Sequence, residues 1–85
     1  MRIIWQDAAW ADYTDWAPLH PAVHRRINAL VKDVARQGVA SGIGKPEPLR
    51  FEWSEWWSRR IDSEHRLVYR VTGPDIEIAA VRYHY

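Results

Sequence analysis

Eighty-five residues with a formal net charge of +1, six Trp, four Tyr and no Cys bound the answer to one small domain with one core. The missing Cys excludes a disulfide framework and a thiolate metal site, and no apolar run reaches membrane-spanning length. Near-neutral charge does not by itself mark a nucleic-acid binder. Without a signal peptide or lipidation motif, the cytoplasm is the expected location.

Arg2-Ile3-Ile4-Trp5 reads as a short opening strand. Asp7 suits an N-cap, and Ala8, Ala9 and Ala11 favour the helix behind it. Trp10, Tyr13 and Trp16 recur at helical spacing and are expected in the core, with Pro18 ending the helix. Pro21 fits the first turn of a second helix. There Val23, Ile27, Leu30, Val31 and Val34 form one apolar stripe, and Gly38 stops it. His20 and His24 are four residues apart, but neither lies in a metal-binding context, so capping or surface roles are expected and no metal site is assigned.

Residues 38 to 48 hold three Gly and two Pro and form the one long irregular connection, the kind of loop that often carries function. Leu49-Arg50-Phe51-Glu52-Trp53 alternates apolar with charged, which predicts a half-buried strand. Trp56 to Ile61, a polar turn through Asp62 to His65, and Arg66 to Val71 predict a β-hairpin. Thr72 to Asp75 is a further turn, and a last strand is expected from Ile76 to Tyr85. The order predicts an α+β fold: one N-terminal strand, two helices, then a four-stranded antiparallel meander, with both helices on one sheet face. By alternation, Leu67, Tyr69 and Val71 face one way and Arg66, Val68 and Arg70 the other. Arg60 shares parity with Trp56 and Ser58. The face away from the helices is therefore where Arg50, Arg60, Arg66 and Arg70 are expected to gather. Like charges paired on a sheet destabilise it unless an anion lies between them, and phosphate matches a guanidinium well.

Seven of the twelve basic residues lie in the second half of the chain, among seven acidic ones, so a solvated, salt-bridged surface is the plain alternative. If that surface holds an RNA backbone, cleavage needs a base for the 2′-hydroxyl proton, an acid for the leaving 5′-oxygen and cations for the charge on phosphorus. Glu47, held between Pro46 and Pro48 and beside Lys45 and Arg50, is a candidate base or else a surface partner of Lys45. His84 is a candidate acid by its near-neutral pKa, provided the last strand ties it down, and His65 is a rival more suited to a structural role. Tyr83, Tyr85, Trp53 and Trp57 offer rings on which bases stack or which fill the core.

Gly44-Lys45-Pro46-Glu47-Pro48-Leu49, Trp57-Ser58-Arg59-Arg60-Ile61, Glu64-His65-Arg66-Leu67-Val68-Tyr69 and the terminal Arg82-Tyr83-His84-Tyr85 together resemble the YoeB toxins of the RelE/ParE superfamily over essentially the whole chain. The resemblance implies the toxin of a type II toxin–antitoxin pair, a cofactor-free, metal-independent endoribonuclease that cuts mRNA in the ribosomal A site. It places the general base on Glu47, transition-state stabilisation on Arg66 and the general acid on His84. Lys45, Arg50, Arg59, Arg60, Arg82, Tyr83 and Tyr85 fall on substrate-binding positions, with Arg50 where the family is expected to carry Lys. It further implies a YefM- or Phd-type antitoxin whose acidic segment covers the basic face, a homodimer or toxin–antitoxin hetero-oligomer, and promoter DNA bound through the antitoxin. Trp53-Ser54-Glu55-Trp56 departs from the family's LSG-type turn, so Glu55 is expected to strain a position suited to Gly. A ParE-type inhibitor of gyrase on the same fold, with Glu47 and His84 incidental, is the alternative, and a decayed toxin that only binds antitoxin is a third.

Overall fold

The computed structural model describes residues 1–83. Chain order is β1 (Ile3–Trp5), α1 (Asp7–Leu19), α2 (Pro21–Gln37), β2 (Glu47–Pro48), β3 (Trp57–Arg60), β4 (Arg66–Thr72) and β5 (Asp75–Ala80). The five strands form one sheet in the order β1-β5-β4-β3-β2. β2 to β5 pair antiparallel in sequence, and β1 joins the far edge parallel to β5. Arg2 clamps this parallel pair by binding the Asp75 carboxylate at 2.8 Å.

Both helices cover one face. The α2 stripe of Val23, Ile27, Leu30, Val31 and Val34 packs with Ala9 of α1 onto Leu67, Tyr69, Ile76 and Ile78 of the central strands. Deep burial of side chains this large is the dominant stabilising term, about 1.5–3 kcal/mol for each fully buried Leu or Ile. On the opposite face a smaller cluster forms from Trp56, Val68, Ala79 and Ala80, with Leu49 and Trp53 against it. Among the described residues no helix is long and apolar enough to cross a membrane.

Several local expectations give way. Pro18 lies inside α1, which runs on to Leu19, because a proline in the last turn removes a bond at a point where the helix is already ending. Asp7 is the first helical residue rather than the cap, where its charge faces the helix N-terminus. Trp10 is 51% exposed: it leans on Trp5 and Tyr13 at the helix margin instead of filling the core. Val71, expected on the core face, is also exposed.

The largest difference lies between β2 and β3. Leu49 to Trp53 is not a strand; the pairing strand is Glu47–Pro48, and Phe51–Trp53 is a single 3₁₀ turn. Phe51 takes φ +58°, which breaks the extended run, and its ring is 89% exposed while Leu49 and Trp53 turn inward to the smaller cluster. Alternation places all three on one face, and a tight turn does not. Glu55 has no positive φ, so the strain expected there falls on Phe51 instead. The last strand ends at Ala80, short of the expected C-terminal run, and residues 81–83 bend away.

Candidate active site on the helix-free face

Strand register places the site. Glu47 lies opposite Ser58, and Arg60 lies opposite Arg66. Alternation puts Glu47, Ser58, Arg60 and Arg66 together on the face away from the helices. The Arg60 backbone N–H donates to the Gly44 carbonyl at 2.7 Å, and the Arg66 N–H donates to the Tyr83 carbonyl at 2.7 Å. Both amides therefore point away from each other, which makes Arg60 and Arg66 a non-hydrogen-bonded pair, the class whose Cα atoms approach to about 4.5 Å. Two guanidinium stems are thus held side by side. Neither forms an ion pair with a carboxylate of the described residues; Arg66 donates only to the carbonyls of Asp62 (2.9 Å) and His65 (3.1 Å).

The same two backbone bonds tether the segments that matter on either side. Gly44 begins the turn into Lys45, Pro46 and Glu47, and it accepts this role with φ +81° and Leu30 packed where a Cβ would stand. Lys45 follows at φ +54° and sets its ammonium 3.6 Å from the Glu47 carboxylate, both side chains more than half exposed. Tyr83 carries φ +59°, and its N–H donates to His65 Nδ1 at 2.8 Å. The three positive-φ residues other than Gly among the described ones, Lys45, Phe51 and Tyr83, all border this face. Left-handed backbone at bulky residues costs energy and concentrates at functional sites. His84 and Tyr85 lie outside the described residues.

His65 is a structural histidine. It is buried, its ring packs edge-on against Trp16 at 4.9 Å, and its Nδ1 accepts the bond that seats Tyr83. Asp62 forms the turn before it, accepting the N–H groups of Glu64 and His65 at 2.8 and 2.7 Å. Desolvation raises the Asp62 pKa, but those two bonds outweigh it and hold the carboxyl below its ordinary value. His20 caps α2 with its carbonyl, and His24 stacks on Tyr13.

Three arginines of the sequence reading are placed elsewhere. Arg59 points through the sheet into the core and is fully buried. All five of its N–H donors are used inside the protein: Nε to the Tyr69 hydroxyl, one terminal nitrogen to Asp33 and the Ile43 carbonyl, the other to the Gly38 and Ser41 carbonyls. It orders the loop that leads to Glu47 and has no donor left for a substrate. Arg70 is held by Glu77 at 2.9 Å and Glu55 at 3.5 Å over the Trp56 ring. Arg82 turns toward α1, 3.6 Å from Asp12 and over the Trp16 and Tyr83 rings. The strand cations left on the helix-free face without a described carboxylate are Arg60 and Arg66, while Lys45 is paired with Glu47 and Arg50, beyond β2, is exposed. Sequence reasoning missed two features here. The Asp33–Arg59 pair had a legible signal, since Arg59 shares parity with the half-buried Trp57 and the buried Ile61; the outward Phe51 had none.

A family model described as the YoeB-like toxin of bacterial type II toxin–antitoxin systems matches residues 5–85. The chain belongs to this family. Toxin YoeB of Escherichia coli K12 is 48% identical over 85 residues, all of both chains. Among solved structures, a YoeB/ParE toxin from Agrobacterium tumefaciens superposes with a TM-score of 0.95 at 39% identity over the whole of both chains. YoeB in a heterotetrameric YoeB–YefM complex from Staphylococcus aureus does so with a TM-score of 0.94 at 40% identity, covering all of this chain and 98% of that one. YafQ of E. coli shares the fold at 14% identity, with a TM-score of 0.79. In this YoeB-like chain both helices take one sheet face and leave the arginine pair on the other.

Proposed function

We propose that this YoeB-like toxin is an endoribonuclease that cuts mRNA in the ribosomal A site without a metal ion. The observation that carries the reading is the Arg60–Arg66 pair, two directly cross-strand arginines with no described carboxylate partner, whose own backbones anchor the Glu47 loop and the Tyr83 tail. An in-line phosphate between them removes the repulsion and gains charge-assisted bonds. Glu47 takes the 2′-hydroxyl proton, and the oxygen attacks the adjacent phosphorus. Arg66, with Arg60 beside it, stabilises the charge that develops on the phosphoryl oxygens. His84, one residue beyond the tethered Tyr83, gives its proton to the leaving 5′-oxygen; this assignment rests on the family resemblance. The products are a 2′,3′-cyclic phosphate and a 5′-hydroxyl end.

The toxin works in the cytoplasm with a YefM- or Phd-type antitoxin, whose acidic segment occupies the arginine pair in place of RNA; it forms homodimers or toxin–antitoxin hetero-oligomers, and the toxin–antitoxin complex reaches promoter DNA through the antitoxin. The complex and the dimer known for the S. aureus YoeB support these partners. Primer extension on a defined mRNA, with and without translating ribosomes, tests the activity: cuts at A-site codons are expected only with ribosomes. Glu47→Gln and His84→Ala should each slow cutting by about 10²–10⁴ while keeping the melting temperature. Toxicity that survives alanine at both positions gives the ParE-type, gyrase-directed alternative instead.

A further inference from the structure

We propose that Phe51, with Arg50 and the cleft behind it, is a nucleobase-stacking subsite for the RNA strand, an inference that rests on the endoribonuclease reading above. Phe51 is the most exposed large hydrophobic residue of the described chain, at 89%. Its backbone stands at φ +58°, a conformation that bulky side chains rarely adopt. A solvent-directed aromatic ring on a strained backbone gains nothing for the free protein, so the arrangement points to a contact made in the assembled state.

The backbone that carries the ring is tied down. Leu49 donates to the Trp56 carbonyl at 2.9 Å, Trp53 to Arg50 at 3.1 Å and Ser54 to Phe51 at 3.0 Å, which closes the turn on both sides of Phe51. Leu49 and Trp53 then fix the turn to the cluster around Trp56 and Val68. Pro48, Leu49, Arg50, Phe51, Glu52 and Trp53 line a cleft of about 420 Å³. Pro48 is the pairing partner of Trp57 and directly follows Glu47, so the cleft opens at the same sheet edge as the proposed base.

The chemistry of the cleft favours a base over a peptide. Arg50 and Glu52 flank the ring with opposite charges, so an acidic segment finds little net attraction there. A nucleobase is neutral, needs no net charge at the cleft, and stacks on an aromatic face whatever its identity. A nucleotide beside the scissile bond would be pinned by its base, leaving the phosphodiester to the arginine pair.

The test uses ribosomes carrying a defined mRNA, with templates in which a single nucleotide of the A-site codon or the next position is abasic. Phe51→Ala should lower kcat/KM by about 5- to 100-fold on the natural template. Phe51→Tyr should retain cleavage. Removing the stacked base should bring the wild-type protein down to the Phe51→Ala rate and slow that variant no further. Phe51→Gly accepts the backbone conformation, so it should melt at or above the wild-type temperature and still cut as slowly as Phe51→Ala, a divergence that a folding role cannot produce. Wild-type cleavage by Phe51→Ala overturns the subsite, and so does an abasic penalty equal in both proteins. A variant that cuts normally but escapes an acidic antitoxin segment assigns the cleft to the antitoxin and also overturns it. Wild-type protein that never cuts on ribosomes removes the endoribonuclease reading and the subsite with it, whereas normal wild-type cutting beside an unaffected Phe51→Ala removes the subsite alone.

Discussion

Replacing Arg59 by Leu removes the buried strut under the active-site loop, and its cost follows from the bonds it leaves unmade. Arg59 is 0% exposed and donates to the Tyr69 hydroxyl at 2.9 Å, to Asp33 at 2.7 Å and to the carbonyls of Ile43, Gly38 and Ser41 at 3.0, 2.9 and 2.6 Å. Leucine fills part of the volume but leaves the Asp33 carboxylate, 14% exposed, without its cation, and three loop carbonyls without their donor. Removing one partner of a buried, hydrogen-bonded ion pair costs about 3–5 kcal/mol. A domain of this size loses about 4–8 °C in Tm per kcal/mol, so the variant should melt at least about 12 °C below the wild type. Arg59→Lys should recover only a part, because an ammonium has three donors and cannot span five acceptors. Neutralising the partner as well, in Arg59→Leu/Asp33→Asn, should melt above Arg59→Leu alone, since the amide oxygen still accepts the Ile43 N–H and no unpaired charge remains. Circular-dichroism melts and urea titrations read all three. An Arg59→Leu protein that melts within about 4 °C of the wild type, or a double variant less stable than the single, would refute the strut.

Acid should unfold the protein through four carboxyls held below their ordinary pKa. Asp33 is lowered by the Ile43 N–H and then by Arg59, Asp75 by its bond to Arg2, Glu77 by Gln6 and then Arg70, and Asp62 by the Glu64 and His65 amides against its desolvation. The unfolded chain binds protons more readily at these sites than the folded one, so their contribution is complete above the usual carboxylate range and is lost as pH falls below about 4. The urea midpoint should stay level from pH 7 to 5 and drop by pH 3; a level midpoint at pH 3 would contradict the assignment. Arg60→Gln should relieve the like-charge pair and stabilise the fold by roughly 0.2–1 kcal/mol at low salt, while weakening both cleavage and inhibition by an acidic antitoxin peptide. Inhibition that is unchanged in this variant places the antitoxin elsewhere.

Local sequence determined most of the elements of this protein. The α2 stripe from Val23 to Val34, Pro21 and Gly38 at its ends, and the hairpin around Asp62 to His65 are set by periodicity and turn chemistry within a few residues, and they fold as they read. The gathering of Arg60 and Arg66 on one face was legible too, because alternation fixes a face once a strand is known; Glu47 read as part of a loop and joins that face only through the pairing of β2 with β3. What the tertiary structure decided was which neighbours each charge meets. Arg59 and Arg60 are adjacent in sequence and similar in chemistry, yet one is the buried partner of Asp33 and the other stands open beside Arg66, a division made by α2 packing on a single face. Arg70 and Arg82 were taken by Glu77 and Asp12, residues whose proximity depends on strand register and on where α1 docks. The turn at Phe51 was beyond local pattern altogether: Leu49 and Trp53 turn inward because Trp56, Val68, Ala79 and Ala80 offer them a second apolar patch, and the ring between them is left outside.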